Sequence, residues 1–319
     1  MRTIKSFLKL VEIQTKVASL FPLIIGTLLA VYIAGRFEIA NFMLMFISLL
    51  CIDMATTGLN HYFDYKRAIL KTGYHYEKHN PIAAGELPPQ KAWPFLLGLV
   101  IVGAITGVGL VMRTDWIVFF LGAMAFAVGL GYSVGPLPIS RTMLGELFSG
   151  LFMGGLIPLI AYYIQLPPQM LGKISLSVGT LMLELDMIKL LPIVFVSLPL
   201  VMLIANIMLA NNICDREEDL VNKRYTLPVT IGISHSLKLY KMLTIAALGS
   251  VMISVLLSIL PWHYALTLVA LPKMIRQMNR FTSRPTKAET FIFAVQNFIV
   301  FSSLSVVGLT FAVLLNTLG

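Results

Sequence analysis

The sequence predicts an all-α integral membrane protein of nine transmembrane helices, with a cytoplasmic N-terminus and a single domain over residues 1–319. Three observations carry that expectation: composition, apolar runs of spanning length, and the sidedness of the cations. Hydrophobic residues make up 57% of the chain, charged residues 12%, and mean hydropathy is +0.85. Soluble domains carry roughly 25% charged residues. Such a chain is too rich in large apolar residues for disorder, and no collagen-like glycine period is present. A net charge of +9 would suit a nucleic-acid partner if the cations formed one surface, but they lie between the apolar runs. The partner expected is therefore the lipid bilayer, with a multi-pass cell-membrane location and no nucleic acid.

A spanning helix needs about 20 mostly apolar residues. Met1 to Lys16 is polar and basic, and the apolar stretch after it reaches spanning length, so Val17–Ala34 is expected as a retained first helix and not a cleavable signal. The following candidates are Ala40–Gly58, Trp93–Met112, Trp116–Tyr132, Leu147–Ile164, Leu190–Leu209, Met242–Leu260, Ile259–Pro272 and Phe291–Leu315. The eighth is short and interrupted near Pro261 and Pro272, which by itself would also fit a re-entrant segment. Charge favours nine crossings: they put twenty Lys/Arg on the cytoplasmic side against Arg36, Arg113, Lys173 and Lys189 outside. That bias follows the positive-inside rule.

Two cytoplasmic segments, His61–Ala92 and Asn211–Lys241, exceed simple connections, and long loops in compact proteins are often functional. A third, Gln165–Lys189, lies outside and holds a weakly apolar run around Ile174–Leu185, readable as a partial helix or a cover. Cys51 and Cys214 are the only cysteines and form no CxxC motif. His61, His75, His79, His235 and His263 show no metal-ligand spacing.

Asp53, Asn60 and Asp64 are separated by seven and four residues and so share one helical face. After the sixth candidate helix, Asn211, Asp215 and Asp219 recur every four residues in the same way. Either run alone fits a solvated helix end. Two amide-and-carboxylate faces at the same depth on one membrane side form an oxygen cage suited to Mg²⁺, a hard cation that takes carboxylates, waters and substrate phosphates. Lys66 and Arg67 follow one face, Lys223 and Arg224 the other, and such cations bind phosphate oxygens as well as anchoring topology. Acids, Mg²⁺ and cations beside an apolar membrane interior point to a diphosphate ester with a hydrocarbon tail. Asp53 lies deeper. An intramembrane carboxylate either lines a cavity, where it would orient an acceptor or handle a proton, or closes a hydrogen bond to Thr56 or Thr57.

At these residues the chain resembles the UbiA superfamily of intramembrane prenyltransferases over nearly its whole length. Asn60-x-x-x-Asp64 resembles the first Asp-rich motif, Asn211-Asn212-x-x-Asp215-x-x-x-Asp219 with Thr226-Leu227-Pro228 the second, and Asn80-Pro81-Ile82-x-x-Gly85 the segment after the first. Tyr132-Ser133-Val134-Gly135-Pro136-Leu137-Pro138, Leu144-Gly145-Glu146-Leu147 and Tyr162-Tyr163-Ile164-Gln165 are similar to the 1,4-dihydroxy-2-naphthoate polyprenyltransferases of menaquinone synthesis. The resemblance implies nine helices around a central cavity with both motifs at its cytoplasmic mouth. It implies Mg²⁺ held by Asn60, Asp64, Asp215 and Asp219, and a polyprenyl diphosphate bound by Lys66, Arg67, Lys223, Arg224 and Asn211. The expected reaction is prenylation and decarboxylation of 1,4-dihydroxy-2-naphthoate to demethylmenaquinone, with Asp53 and Tyr132 as acceptor or cavity residues. Another acceptor, such as hydroxybenzoate, is the alternative within the family, and a transporter the alternative outside it. Four positions depart from the family pattern. His61 and Ala68 stand at usual acids, Glu12 at a usual Arg, and Arg224-Tyr225 at a usual Lys-Arg pair, which shifts a phosphate cation to Lys223.

Overall fold

The structure, a computed structural model, describes residues 2–67, 80–135, 137–177 and 179–318. Ala68, His75, Glu77, His79 and Pro136 fall outside the described residues. A short amphipathic helix, α1 (Arg2–Leu10), precedes α2 (Val17–Ala34), which ends at Gly35 in the left-handed conformation. The chain then runs through α3 (Ile39–Arg67), α4 (Pro89–Arg113) and α5 (Trp116–Ser133). Proline opens α4 at its first position, where no amide is needed, and Asp115 caps α5 by accepting from the Ile117 and Val118 amides.

The fifth crossing is one helical rod of three parts: α6 (Gly145–Ser149), a π-helical stretch over Gly150–Leu156, and α7 (Ile157–Tyr163). Its glycines let it press on α8 (Met187–Cys214). A Cβ on Gly154 would stand 2.4 Å from the Val201 backbone nitrogen, and one on Gly26 of α2 would stand 2.3 Å from the Pro158 carbonyl oxygen. Beyond α8 come the short helices α9 (Arg216–Val221) and α10 (Leu227–Ile231), then α11 (Ile233–Leu256), α12 (Leu271–Ser283) and α13 (Ile292–Leu318). Helix α3 packs on α4 and α5, α8 on α11 and the π-helical stretch, and α2 on α7 and α13. The largest buried cluster joins Leu29, Tyr162, Leu200, Val251, Tyr264 and Phe301.

Among the described residues, eight helices are long and apolar enough to cross a membrane. The crossing expected at Ile259–Pro272 is built differently. Trp262–Ala270 is a 3₁₀ helix that runs directly into α12. At about 2.0 Å per 3₁₀ residue and 1.5 Å per α residue the pair is roughly 37 Å long, enough to traverse a hydrocarbon core of about 30 Å. Only its first part is apolar, since α12 carries Lys273, Arg276 and Arg280.

The weakly apolar run of the outer segment is, among the described residues, no partial helix. It forms an antiparallel hairpin of β1 (Gly172–Ser177) and β2 (Thr180–Leu185), with Ser177 opposite Thr180. The cause is the strict alternation of Lys173-Ile174-Ser175-Leu176-Ser177, a period of two, closed at Gly179 with φ +80°.

Candidate active site

Asn60 and Asp64 lie one turn apart near the C-terminal end of α3, while Asn211 and Asp215 end α8 and Asp219 sits in α9. The structure brings these remote segments together through arginines. Arg141, at the end of the 3₁₀ turn Ile139–Arg141, donates from Nη1 to Asp64 Oδ1 at 3.1 Å and from Nη2 to the Asn222 carbonyl at 2.6 Å. Arg224 places Nη1 3.4 Å from Asp64 Oδ2 and Nε 3.2 Å from Asp219 Oδ1. One guanidinium thus bridges the two acidic faces. Lys287, in the turn before α13, lies 2.6 Å from Asp215 Oδ2 and also donates to Asn211 Oδ1.

Asp219 is 3% exposed and accepts from Thr226 Oγ1 at 2.9 Å. Burial pushes its carboxyl up, against the opposing pull of Arg224 and Thr226. Burial, then the neighbouring Asp215 and Asp219, pushes Glu218 up to about 7. Burial also draws the Arg141 guanidinium below its ordinary value, and Asp64 opposes it. The arrangement is a crowded anionic centre whose resting charge is balanced by three cations. Removing Arg224 would leave the buried Asp219 carboxylate without its cation, a costly state, whereas Asp64 would keep Arg141.

The cations expected around the diphosphate divide. Arg224 faces the acids. Lys223 is exposed, with φ +53°. Lys66 lies over the Tyr62 ring at 4.7 Å, and Arg67 reaches the Gly135 carbonyl at 2.6 Å. Neither pairs with an acid among the described residues. Lys66 follows Asp64 by two residues, about 200° around a helix of 3.6 residues per turn, so its partner is Tyr62 one turn back. From the sequence alone Arg141 and Lys287 read only as topological charges. The one signal for Arg141 was its isolation, as the sole cation between α5 and α6.

Asp53 is bound up in a network of its own. Lys16 Nζ lies 2.7 Å from Asp53 Oδ1 and 2.7 Å from Thr57 Oγ1, and Ser19 Oγ donates to Asp53 Oδ2 at 2.6 Å. Two of the unusual residues also meet: His61 Nε2 lies 3.1 Å from Glu12 Oε1. Tyr132 packs at the end of α5 beside α6, its hydroxyl without a hydrogen-bond partner among the described residues.

Among the described residues no three His, Cys, Asp or Glu side chains stand together as a ready metal cage. The donor chemistry nonetheless fits a hard divalent ion, because the site offers only carboxylate and amide oxygens.

Comparison with known proteins decides the family, since the profile of the UbiA prenyltransferase family matches residues 19–316. The chain belongs to the UbiA prenyltransferase family. Among relatives of this family, the 1,4-dihydroxy-2-naphthoate octaprenyltransferase of Bacillus subtilis (strain 168) is 31% identical over 219 residues, covering 69% of this chain and 63% of that protein. The fold matches an apo UbiA homolog from Aeropyrum pernix K1 with a TM-score of 0.66 at 17% identity, over 92% of this chain and 98% of that one. It also matches a UbiA homolog from Archaeoglobus fulgidus bound to GPP and Mg²⁺, with a TM-score of 0.63 at 16% identity, over 97% and 99% of the two chains.

Proposed function

We propose that this UbiA-family protein transfers a polyprenyl group from its diphosphate to 1,4-dihydroxy-2-naphthoate, with Mg²⁺ and with loss of CO₂, to give the hydroquinone that a later oxidation turns into demethylmenaquinone. The observation that carries the proposal is the meeting of Asp64 with Asp219 across Arg224, flanked by Arg141 and by the Asp215–Lys287 pair. The naphthoate acceptor is supported by the name of the B. subtilis relative, and the prenyl diphosphate and ion by what the A. fulgidus homolog binds.

Asp64, Asp215 and Asp219, with the amides of Asn60 and Asn211, would hold Mg²⁺, which when bound supplies positive charge to the leaving diphosphate. Arg141, Arg224 and Lys287 exchange their carboxylates for phosphate oxygens and stabilise the charge that accumulates as the C1–O bond breaks. The acceptor ring attacks C1 of the prenyl chain. Apolar side chains around the tail keep water from the allylic cation. In this reading the site opens on the cytoplasmic side.

The test is mass spectrometry of products from purified protein in lipid nanodiscs, given Mg²⁺, a polyprenyl diphosphate and a panel of hydroxylated aromatic acids. The expected product has the mass of the prenylated naphthoate less CO₂, and omission of Mg²⁺ abolishes it. A prenylated hydroxybenzoate in its place would reassign the acceptor. Diphosphate-independent flux with no covalent product would reject the enzyme.

A further inference from the structure

Glu146 is the first acidic residue of α6, at the base of the π-helical rod, and is 4% exposed. Its Oε1 accepts from Asn212 Nδ2 at 2.8 Å, which ties it to the residue beside Asn211. The amides of Glu146 and Leu227 lie close to the carboxylate, but Oε2 is buried with no hydrogen-bond partner among the described residues. The Tyr132 hydroxyl is also buried and without a partner among them, 3.6 Å from where a Cβ of Gly145 would stand. It lies within the electrostatic reach of both Glu146 and Arg224. Two orphan polar atoms in one place call for an explanation, because native structures pair nearly all such groups. One is a base and the other a donor, and they adjoin the acid and arginine cluster without belonging to it.

We infer that Glu146 is the general base that receives the acceptor's hydroxyl proton, with the Tyr132 hydroxyl donating to the same acceptor oxygen. The inference rests on the prenyltransferase reading. As the bond from the carboxylate-bearing ring carbon, ortho to the hydroxyl, forms with prenyl C1, the C1–O bond breaks and its electron pair leaves on the diphosphate. The hydroxyl proton moves to Glu146 Oε2, and the ring oxygen becomes a carbonyl. Loss of CO₂ from the ring returns an electron pair to it, the oxygen takes the proton back, and Glu146 ends as a carboxylate. Asn212 acts as a positioning residue by fixing Oε1.

The experiment uses full-length protein in nanodiscs and compares wild type with Glu146→Gln, Glu146→Asp and Tyr132→Phe. Glu146→Gln is expected to lower kcat about 100-fold, the usual lower scale of a lost general base, and to remove the acidic limb of the kcat–pH profile. Mg²⁺-dependent binding of a polyprenyl diphosphate should stay within twofold of wild type, and Glu146→Asp should recover part of the rate. Tyr132→Phe should raise KM for the acceptor more than it lowers kcat. A Glu146→Gln protein with turnover within threefold of wild type overturns the inference alone, as does one that loses donor binding in parallel with turnover. A wild-type protein that prenylates no hydroxylated aromatic acid overturns the prenyltransferase reading itself.

Discussion

Asp64 and Asp215 each bear a load that no neighbour duplicates. Asp64 is the one acid touched by two arginines, and Asp215 the one held by Lys287. Replacing either by Ala removes a proposed metal ligand, so turnover should fall at least about 100-fold; the thermal transition of the detergent-solubilised protein should fall more for Asp64→Ala, which leaves two partly buried arginines short of their acid, than for Asp215→Ala, which frees the more exposed Lys287. Unchanged turnover in both variants would refute the ligand assignment. Glu12 and His61 carry a different expectation. The two are partners at 3.1 Å, at positions where the family resemblance leads to an expected acid for His61 and an expected arginine for Glu12. His61→Asp alone would set two carboxylates against each other at a cost of about 1 kcal/mol, read as a lower melting temperature; adding Glu12→Arg should restore it. The four-residue spacing of the acids made their shared faces legible in the sequence. The cations that answer them were not legible, because 24 lysines and arginines are candidates and only tertiary folding selects Arg141, Arg224 and Lys287. The Lys16 partner of Asp53 was hidden for the same reason: a charge at a helix start looks like a topological anchor until α2 packs beside α3.

At the scale of elements, the π-helical stretch Gly150–Leu156 is the part most exposed to substitution. Gly154 faces backbone atoms of α8, which cannot swing aside as a side chain can. Gly154→Ala should therefore lower stability by about 1–3 kcal/mol, the range for overpacking, and reduce turnover by displacing α6 and Glu146 relative to Asn212. A thermal shift together with steady-state rates checks both parts; a Gly154→Ala protein as stable as wild type would show that the rods can part. The apolar runs revealed the spanning helices because burial in lipid demands length and hydropathy together. The same criterion leaves the local structure of two places open. In the outer segment a strand alternation averages to weak hydropathy, the signature also of a poor helix, and at Trp262–Ser283 a 3₁₀ start stretches few apolar residues over a long rise.

Taken as a whole, the molecule sorts its polar chemistry to one end, and the excess of cations on the loops at that end predicts the sidedness. In a protein cleared of Cys51 and Cys214, single cysteines at Lys223 and at Gly179 should label from opposite faces of sealed vesicles, the first from the cytoplasmic face. Labelling of both from one face would contradict the nine-crossing arrangement. The arginine that spans Asp64 and Asp219 has one more consequence, for the order of arrival. A bare divalent ion approaching this centre meets a resident positive charge with nowhere else to go. An ion that comes already wrapped in a diphosphate offers that arginine a new anion as it yields its place. On the proposed function, a diphosphate that carries its ion would load this centre more readily than the free ion, because it offers Arg224 a replacement anion.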